Sequence, residues 1–572
     1  MRIAITGIGI VSALGFGKEA TIDALLHEQS GIVAPVILPT QHRECPVGEV
    51  RLSDEALKAR LGLSADTIIP RTSLLGVAAA REALSDAGVN STQNIPFING
   101  TTVGGMDITE QCWREREANA ETIVSHHTAG ASTEAITAQI GSFASQQTIS
   151  TACSSALNAV MAGCNMLRTG ECTQVLAGGA ESLSLFHFNG FRALQILSDD
   201  VCRPFAATRK GLNLGEGAAY VLIETEESAL QRCAHIYGYI AGYGNACDAY
   251  HQTASSEDGE GAYRAMQQAL NMAHVEPAAV DYINAHGTAT PNNDASEYAA
   301  MRRLFGEQMP AYSSTKAFTG HTTSAAGSIE LVLSLMAMQQ GFVPANLNLD
   351  TPMPEAAAPI QHTLHKNLRF VLCNSFGFGG NDSSVLLSKN AANLPEATDN
   401  LHVQPSADVC LIEPADYKPY IPAMQARRLT PALRQLVVAA RQALEQAGLD
   451  IPDAIITGTD LGCICYSVGL LNQLTDEGED ALSPTLFMQS THNTPSSLIA
   501  ILLHTHGYNC TYSHGAMSYE QAMADARRQI SLGLINNALV LAFDEDDSTW
   551  QALMQQAGKQ YAPIIRATVI GA

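Results

Sequence analysis

A cysteine at the predicted start of a helix is the residue in this chain best placed to act as a nucleophile. Cys153 follows a short β-branched stretch at residues 148–150, and apolar residues recur after it at helical spacing. The helix is predicted to end in the basic turn and glycine of residues 168–170. The N–H groups and the positive dipole end at a helix N-terminus favour a thiolate and can bind an oxyanion. The pattern therefore predicts a strand–turn–helix that presents a reactive thiol.

Two histidines and a glycine-rich turn later in the chain supply what such a thiol needs. His286 ends a strand-like run at residues 282–285, and His321 follows Gly320 ahead of an apolar helix. Residues 377–380 read Gly-Phe-Gly-Gly, a composition that permits positive φ angles and close backbone approach. Each of these features, and each of the thirteen cysteines, is by itself more often structural. Their joint presence and order predict a site for carbon–carbon bond formation through a thioester.

These motifs together resemble a β-ketoacyl-acyl-carrier-protein synthase, a ketosynthase of the thiolase superfamily. The resemblance covers about residues 1–389. It implies an α/β protein with the five-layered αβαβα thiolase fold, an acyltransferase activity, no cofactor and no bound metal. It also includes the family's first strand, the strand end after the nucleophile helix and a central signature, at residues 5–12, 178–181, 202–205 and 215–219.

The resemblance implies a catalytic set made of Cys153, His286 and His321. Cys153 is expected to accept an acyl group from an acyl carrier protein as a thioester, and the backbone N–H groups of Cys153 and Phe378 are expected to form the oxyanion hole. A malonyl group on a carrier protein then loses carbon dioxide. His286 and His321 donate hydrogen bonds to the thioester carbonyl as its oxygen gains negative charge. The carbanion attacks the Cys153 thioester and extends the acyl chain by two carbons.

Three further residues match supporting positions of the family. Lys316 is expected to act electrostatically near His321, and Glu330 is expected to support the histidine pair from the helix that follows. Phe378 matches a gating loop whose movement admits the acyl chain and then the extender. A surface lysine and a capping or ion-paired glutamate are the structural alternatives for Lys316 and Glu330.

Related condensing enzymes differ from this pattern in their catalytic side chains. A thiolase uses a second cysteine near the C-terminal glycine loop, whereas Cys373 here precedes that loop at a predicted strand end. A chalcone-type or initiation-type synthase pairs one histidine with an asparagine, whereas this chain keeps two histidines. The alternative function is a non-catalytic or partner-dependent ketosynthase scaffold, or a chain-length-controlling subunit. A chain-length factor is expected to lack the nucleophile, and Cys153 is present.

Composition restricts the classes of partner. The chain has 572 residues, 46% of them hydrophobic, and a formal net charge of -24. These values predict a folded protein and argue against nucleic acid or an anionic membrane as a partner. Residues 1–17 do not read as a signal peptide, and no run of about 18 apolar residues occurs. We expect a cytoplasmic protein with reduced cysteines that binds an acyl carrier protein loaded with acyl or malonyl groups.

A change of composition near residue 390 predicts two domains. Residues 390–407 mix Asn, Ala, Pro, Glu, Thr and Ser without periodicity, which is typical of a linker. The linker is predicted to join a ketosynthase domain at residues 1–389 to a second domain at residues 408–572.

The second domain repeats the first half of the ketosynthase sequence. Residues 440–448 parallel residues 80–88, and the order of matching segments continues along the chain. Counting back from Gly533 places Ala516 opposite Cys153. The second domain is therefore predicted to be a degenerate half-ketosynthase without its nucleophile. A docking, dimer-capping or pocket-shaping module and a retained duplication are the alternatives for its role.

Through this resemblance, the sequence predicts a 3-oxoacyl-[acyl-carrier-protein] synthase that acts in fatty acid, polyene or polyketide biosynthesis. A homodimer is the assembly that the family implies. The appended half-domain favours a specialised pathway, for example an aryl-polyene or polyketide line, over housekeeping fatty-acid synthesis. Residue types do not define the length, saturation or starter group of the acyl chain.

Overall fold

The computed structural model describes residues 1–354, 356–395, 403–480 and 482–571. We refer to residues 1–395 as the N-terminal region and to residues 403–571 as the C-terminal region. Strands and helices alternate through both regions. The strands of the N-terminal region are β1 (Ile3–Ser12), β2 (Gly15–Phe16), β3 (Pro96–Gly100), β4 (Ser145–Ile149), β5 (Gln174–Glu181), β6 (Gly217–Thr225), β7 (Gly238–Cys247), β8 (Tyr282–Asn284), β9 (Ala311–Ser313), β10 (Phe342–Val343), β11 (Leu364–His365), β12 (Phe370–Gly377) and β13 (Asn381–Ser388). Those of the C-terminal region are β14 (Gln404–Cys410), β15 (Ala454–Gly458), β16 (Tyr508–Tyr512), β17 (Asn537–Asp544) and β18 (Ile564–Gly571).

The helices connect these strands, and several begin at a Ser, Thr or Asp whose side chain accepts a hydrogen bond from a backbone N–H of the first turn. The helices of the N-terminal region are α1 (Lys18–Leu26), α2 (Asp54–Leu61), α3 (Arg71–Asp86), α4 (Met106–Cys112), α5 (Ala120–His126), α6 (Ala129–Ala138), α7 (Ser155–Arg168), α8 (Leu185–Ala193), α9 (Glu226–Gln231), α10 (Glu260–Ala273), α11 (Pro291–Phe305), α12 (Lys316–Thr319) and α13 (Ala326–Gln340). Those of the C-terminal region are α14 (Ala423–Ala426), α15 (Pro431–Ala447), α16 (Ile464–Glu477), α17 (Pro484–Gln489), α18 (Thr494–Leu503), α19 (Ser518–Ser531) and α20 (Ser548–Gln556).

One mixed sheet runs through both regions. Its strand order is β14-β18-β17-β15-β16-β4-β3-β5-β6-β1-β7-β13-β12-β8-β9, with β2 paired to β1 beside this path. β3 lies parallel to β4 and β5, whereas β6 lies antiparallel to β5 and β1. The combination of parallel and antiparallel strands with helices on both faces confirms the predicted α/β fold class.

Helices α7 and α13 form a buried layer against the strands that carry the site. Every residue of α7 is buried, and α13 is buried from Ala326 to Met338. Alternate residues of β5 pack in different directions, because Val175 belongs to the apolar cluster around α7 and Leu176 to the cluster around α3. Helices therefore cover both faces of this part of the sheet, as the layered fold requires.

The C-terminal region repeats the strand order of the first half of the chain. Its strands lie in the order β16-β15-β17-β18-β14, which corresponds to β4-β3-β5-β6-β1 with the same parallel and antiparallel relations. α19 packs on β15 and β17 as α7 packs on β3 and β5. The internal repeat predicted from the sequence is therefore a repeat of structure.

The two regions join at the edges of β4 and β16. Tyr512 pairs with Ile149 in antiparallel register, and the Ser150 and Ser513 N–H groups donate to the Thr511 and Thr148 carbonyls, both at 2.9 Å. Apolar packing extends the contact, since one buried cluster combines side chains of α4, α8, α16 and α20. The C-terminal region is therefore continuous with the sheet that carries the predicted nucleophile.

The predicted linker differs from the structure at both of its ends. Leu394 is buried in the large core cluster of the N-terminal region, and its N–H donates to the Met1 carbonyl at 2.8 Å. Residues 396–402 lie outside the described residues. β14 begins at Gln404 and pairs with β18, so ordered structure starts before the predicted boundary at Asp408. Apolar periodicity is weak in β14 because it is a mostly exposed edge strand, and this explains the difference.

Within the described ranges, no helix has the length and apolarity that crossing a lipid bilayer requires.

Candidate active site

The predicted nucleophile lies on a sharp turn between strand β4 and helix α7. Cys153 is the central residue of a short 3₁₀ turn, Ala152–Ser154, and only 5% of its surface is exposed. Ala152 has a φ of 53°, a conformation that non-glycine residues seldom adopt. The Ser154 hydroxyl donates to Asn381 Oδ1 at 2.8 Å and ties the turn to strand β13. The sequence therefore builds the expected strand–turn–helix around the thiol.

The corresponding turn of the C-terminal region has no thiol. Its 3₁₀ turn, Gly515–Met517, lies between β16 and α19 and has Ala516 at its centre. The alanine occupies the place in this second turn that Cys153 occupies in the first. A methyl group cannot act as a nucleophile, so this turn cannot form a thioester.

The structure brings the two predicted histidines together beside Cys153. His321 Nε2 lies 3.1 Å from Cys153 Sγ, and the rings of His286 and His321 are perpendicular with centroids 5.2 Å apart. The His286 N–H donates to the Glu297 carboxylate at 2.8 Å, while the His321 N–H donates to the Asn213 carbonyl at 2.7 Å. These backbone contacts fix the ends of the loops that carry the imidazoles.

Lys316 lies against His286, whereas the sequence-based expectation placed it near His321. Its Nζ is 3.2 Å from His286 Nδ1 and forms a buried ion pair with Glu330. Because an ammonium can only donate, this contact assigns the lone pair to His286 Nδ1 and the proton to Nε2. Burial raises the pKa of Glu330 to about 7, although Lys316 opposes the rise. The pair thus orients His286 as a hydrogen-bond donor.

Both imidazoles are held in the neutral form. Burial lowers the pKa of His286 well below its ordinary value, and the charge of Lys316 lowers it further. The pKa of His321 is also lowered well below its ordinary value, mainly by burial and then by the charge of Lys316. Of the polar atoms in the described residues, His321 Nδ1 is among those buried without a hydrogen-bond partner. Neutral imidazoles can donate to a substrate oxygen without bringing a net charge to the site.

Burial controls the state of the Cys153 thiol more strongly than the helix terminus does. It raises the pKa of the thiol to about 12, while Lys316 and the backbone N–H groups of Phe378 and Cys153 act in the opposite direction. The resting group is therefore a thiol, whereas the sequence pattern favoured a thiolate. Its proton must leave as the sulfur attacks, and His321 Nε2 offers an acceptor at 3.1 Å.

The glycine-rich loop at residues 377–380 places a second backbone donor at the sulfur. The Phe378 N–H is one of the two backbone groups that stabilise negative charge on Cys153. A Cβ atom on Gly377 would lie 3.2 Å from the Cys153 nitrogen and 2.9 Å from the Thr151 carbonyl oxygen, so a side chain there would crowd the turn. Gly379 has a φ of 83°, which favours glycine.

Two cavities meet at Cys153 and Phe378. The wider one, with a volume of about 320 Å³, is lined by the two histidines and by polar residues such as Thr288 and Asn292. The narrower one, of about 60 Å³, extends to the other side of Phe378. The Phe378 ring stacks on Phe191 with centroids 5.6 Å apart, and both rings line both cavities. Phe378 therefore lies where it separates them.

The C-terminal region supplies one wall of the narrower cavity. Phe487 packs against Phe191 at 5.2 Å and against the backbone of Gly190, where an added Cβ would meet its ring at 2.1 Å. No sequence motif indicated this wall. The internal repeat predicted the fold of the C-terminal region, but not which of its residues lie beside Cys153. The wall residues are Leu461, Ser467, Phe487, Ser490, Thr491 and His492.

The cluster of Cys153, His286 and His321 also meets the distance requirement of a metal site, since their ligand atoms lie within 4.8 Å of one another. The Lys316 ammonium opposes this use because it already places a positive charge 3.2 Å from His286 Nδ1. The arrangement fits hydrogen bonding to a substrate oxygen better than coordination of a cation.

The comparisons with known proteins agree with this geometry. The family models for the N-terminal and C-terminal domains of β-ketoacyl synthases match residues 1–229 and 237–350, and a further N-terminal domain model matches residues 404–570. A 3-oxoacyl-[acyl-carrier-protein] synthase 2 of Vibrio harveyi is 32% identical over 414 residues, which cover 68% of this chain and 99% of the relative.

Solved structures extend the likeness to both regions. The ishigamide ketosynthase/chain length factor shares 29% identity, with a TM-score of 0.64 over 68% of this chain and 99% of its own. The PfaC keto synthase-chain length factor covers 100% of this chain with a TM-score of 0.82, and 78% of its own length is covered. At 18% identity, that second likeness concerns the fold alone. The chain belongs to the β-ketoacyl synthase family, and its C-terminal region is a second ketosynthase domain of the N-terminal type.

Proposed function

We propose that this chain is a 3-oxoacyl-[acyl-carrier-protein] synthase that extends an acyl chain by two carbons through decarboxylative Claisen condensation. The observation that carries the proposal is the position of Cys153 Sγ, 3.1 Å from His321 Nε2 and beside the backbone N–H of Phe378. A nucleophile, a proton acceptor and an oxyanion donor therefore converge on one point.

In the first half-reaction, Cys153 Sγ attacks the acyl thioester carbonyl. His321 Nε2 takes the thiol proton, and the N–H groups of Cys153 and Phe378 stabilise the oxyanion. The carrier thiolate leaves and recovers the proton, so the acyl group is transferred without net change of charge. Burial assists this step because the charge on the oxyanion is screened little by water.

In the second half-reaction, malonyl loses carbon dioxide and the resulting enolate oxygen needs hydrogen-bond donors. His286 donates through Nε2, since Lys316 occupies Nδ1. His321 is the second donor, in the tautomer that carries the proton on Nε2 and leaves the lone pair on Nδ1, which has no fixed partner among the described residues. Glu330 holds Lys316 in place as a positioning residue. The carbanion forms a bond to the acyl carbonyl carbon, the carbon–sulfur bond breaks and the Cys153 thiolate leaves. The thiolate takes up one proton from water, which balances the negative charge that the malonyl carboxylate brought to the reaction.

An acyl carrier protein is the proposed partner. The curated relatives carry this partner in their names, and a solved ketosynthase that is 24% identical and has a TM-score of 0.58 was determined with its acyl-carrier protein.

A homodimer stays a prediction, and a second copy would have to bind away from β4, whose edge pairs with β16 of the same chain. The thirteen free cysteines support a reducing, cytoplasmic location.

Intact-protein mass spectrometry tests the proposal. Incubation with carrier proteins bearing saturated, polyunsaturated or aryl acyl groups is expected to add the mass of one acyl group at Cys153. Addition of malonyl-carrier protein is then expected to remove the adduct and release a 3-oxoacyl product two carbons longer. Folded protein that forms no adduct with any donor would contradict the assignment and favour the scaffold alternative.

We further propose that the C-terminal region limits the length of the acyl chain. Phe487 lines the narrow cavity and rests on Gly190 of the N-terminal region, so its ring closes space that an acyl tail would otherwise occupy. Of the roles considered for the second domain in the sequence analysis, the C-terminal region would therefore have the pocket-shaping one.

Substitution Phe487→Ala is expected to admit longer acyl groups. Chains one or two carbons beyond the wild-type limit should acylate Cys153 about tenfold faster or more, because a single methylene has an effect of this size in an apolar pocket. Phe143→Ala removes a ring that packs on Phe97, outside the residues that line the cavity, and serves as the matched control. An unchanged chain-length profile in Phe487→Ala would remove this role.

A further inference from the structure

The loop that carries Phe378 is held by a side chain of the C-terminal region. Asn493 Nδ2 donates to the Phe378 carbonyl oxygen at 2.8 Å. Asn493 immediately precedes helix α18 and is only 1% exposed. The same residue, Phe378, thus directs its N–H to Cys153 and its carbonyl to Asn493.

Helix α18 also limits the space around the loop. A Cβ atom on Gly379 would lie 2.1 Å from Ser497 Oγ and 2.8 Å from Asn493 Nδ2. From the N-terminal region, the Gln252 carbonyl accepts a hydrogen bond from the Gly379 N–H at 2.6 Å. The loop is therefore clamped between the segment at Gln252 and the first turn of α18.

The clamp leaves polar atoms unsatisfied. Among the described residues, Asn493 Oδ1, Ser497 Oγ and Gln252 Oε1 are buried without a hydrogen-bond partner. Unpaired buried polar groups are unfavourable, and most such groups in folded proteins find a partner. Three such atoms lie around this one loop, and a different conformation of the loop can bring partners to them.

We propose that Asn493 is a latch on the Phe378 loop, a positioning residue through which the C-terminal region sets the state of the active site. The inference rests on the proposed function. The hydrogen bond from Asn493 holds the loop in a closed conformation, in which Phe378 separates the two cavities and the Phe378 N–H faces Cys153. Release of the hydrogen bond frees the loop, so the acyl chain can pass Phe378 into the narrow cavity.

Two reactions of Cys153 separate this role from a general structural one. Alkylation by iodoacetamide needs access to the thiol but no oxyanion donor, whereas acyl transfer from an acyl-carrier protein needs the Phe378 N–H in place. In Asn493→Ala, alkylation of Cys153 is expected to become about tenfold faster, and transfer of a two-carbon acyl group, which does not need to pass Phe378, about tenfold slower, as expected for loss of one buried hydrogen bond. Peptide mass spectrometry measures the first rate and intact-protein mass spectrometry the second.

A second variant keeps the shape of the side chain. Asn493→Leu nearly retains the size and shape of the residue, but its side chain has no hydrogen-bond donor for the Phe378 carbonyl. It is expected to shift both rates in the same directions as Asn493→Ala. If Asn493→Leu retains the wild-type rates, the hydrogen bond does not hold the loop and the proposal is overturned.

Controls distinguish the latch from loss of folding. Asn472 accepts a hydrogen bond from Trp113 Nε1 at 3.0 Å across the same two regions, and Asn472→Ala is expected to leave both rates of Cys153 unchanged. Cys164 and Cys373 are buried and should stay unlabelled in every variant. If these two thiols were alkylated at the same rate as Cys153, the latch would be overturned, because the faster alkylation of Cys153 would then result from unfolding. A wild-type protein that is alkylated but never acylated would refute the proposed function, and the alkylation rates alone would then decide the latch.

Discussion

Substitution Cys153→Ala is expected to abolish the acyl adduct and with it the condensation. Within the turn Ala152–Ser154, the cysteine sulfur is the nucleophilic atom that both His321 Nε2 and the backbone donors face. A methyl group in its place can form no thioester, so acyl mass should be absent from the protein after incubation with any acyl-carrier donor. Intact-protein mass spectrometry and product analysis measure the two losses.

The same variant should keep its fold and one partial reaction. Removal of a single buried sulfur leaves the two histidines and Lys316 in place, so malonyl decarboxylation is expected to continue without condensation. Cys164→Ala is the matched control, because Cys164 lies on helix α7, which follows the turn of Cys153, and is also buried but contacts none of the reacting groups. A condensation rate near that of the wild type in Cys153→Ala would show that another group carries the acyl chain.

The sequence was sufficient to predict the residues that meet at the site. Cys153, His286 and His321 each follow a predicted strand or precede an apolar helix, and strand ends in this fold converge on one edge. The order of the motifs therefore determined the composition of the cluster. It did not determine which imidazole Lys316 contacts, because that choice depends on the paths of two loops relative to each other.

Sequence patterns could not predict which residues of the C-terminal region contact the active site. Phe487 and Asn493 act on Phe191 and Phe378 through contacts between residues more than 100 positions apart in the chain. The repeat in the sequence indicates that β16 resembles β4, but it contains no information on whether these two edges pair. The sequence pattern also favoured a thiolate at Cys153, whereas burial, which the pattern does not show, raises the pKa of the thiol more than the backbone N–H groups lower it.

Replacement of the paired histidines is expected to impair decarboxylation more than acyl transfer. The enolate oxygen loses a hydrogen-bond donor in either variant, and removal of one such donor typically lowers a rate by about 10²–10³. In His286→Ala, acylation of Cys153 should fall far less, because the oxyanion donors and His321 remain. In His321→Ala, acylation should fall further than in His286→Ala, since the proton acceptor at 3.1 Å from the sulfur is lost.

These rates can be separated experimentally because each half-reaction has its own product. Carbon dioxide release from malonyl-carrier protein reports the enolate step, and the mass of the Cys153 adduct reports acyl transfer. His514→Ala is the matched control, since His514 is a buried imidazole of the C-terminal region that bonds Thr148 and lies outside both cavities that meet at Cys153. If His286→Ala lost acyl transfer while keeping decarboxylation, the imidazole held by Lys316 would act on the first half-reaction, and the assignment of the pair to the enolate would be wrong.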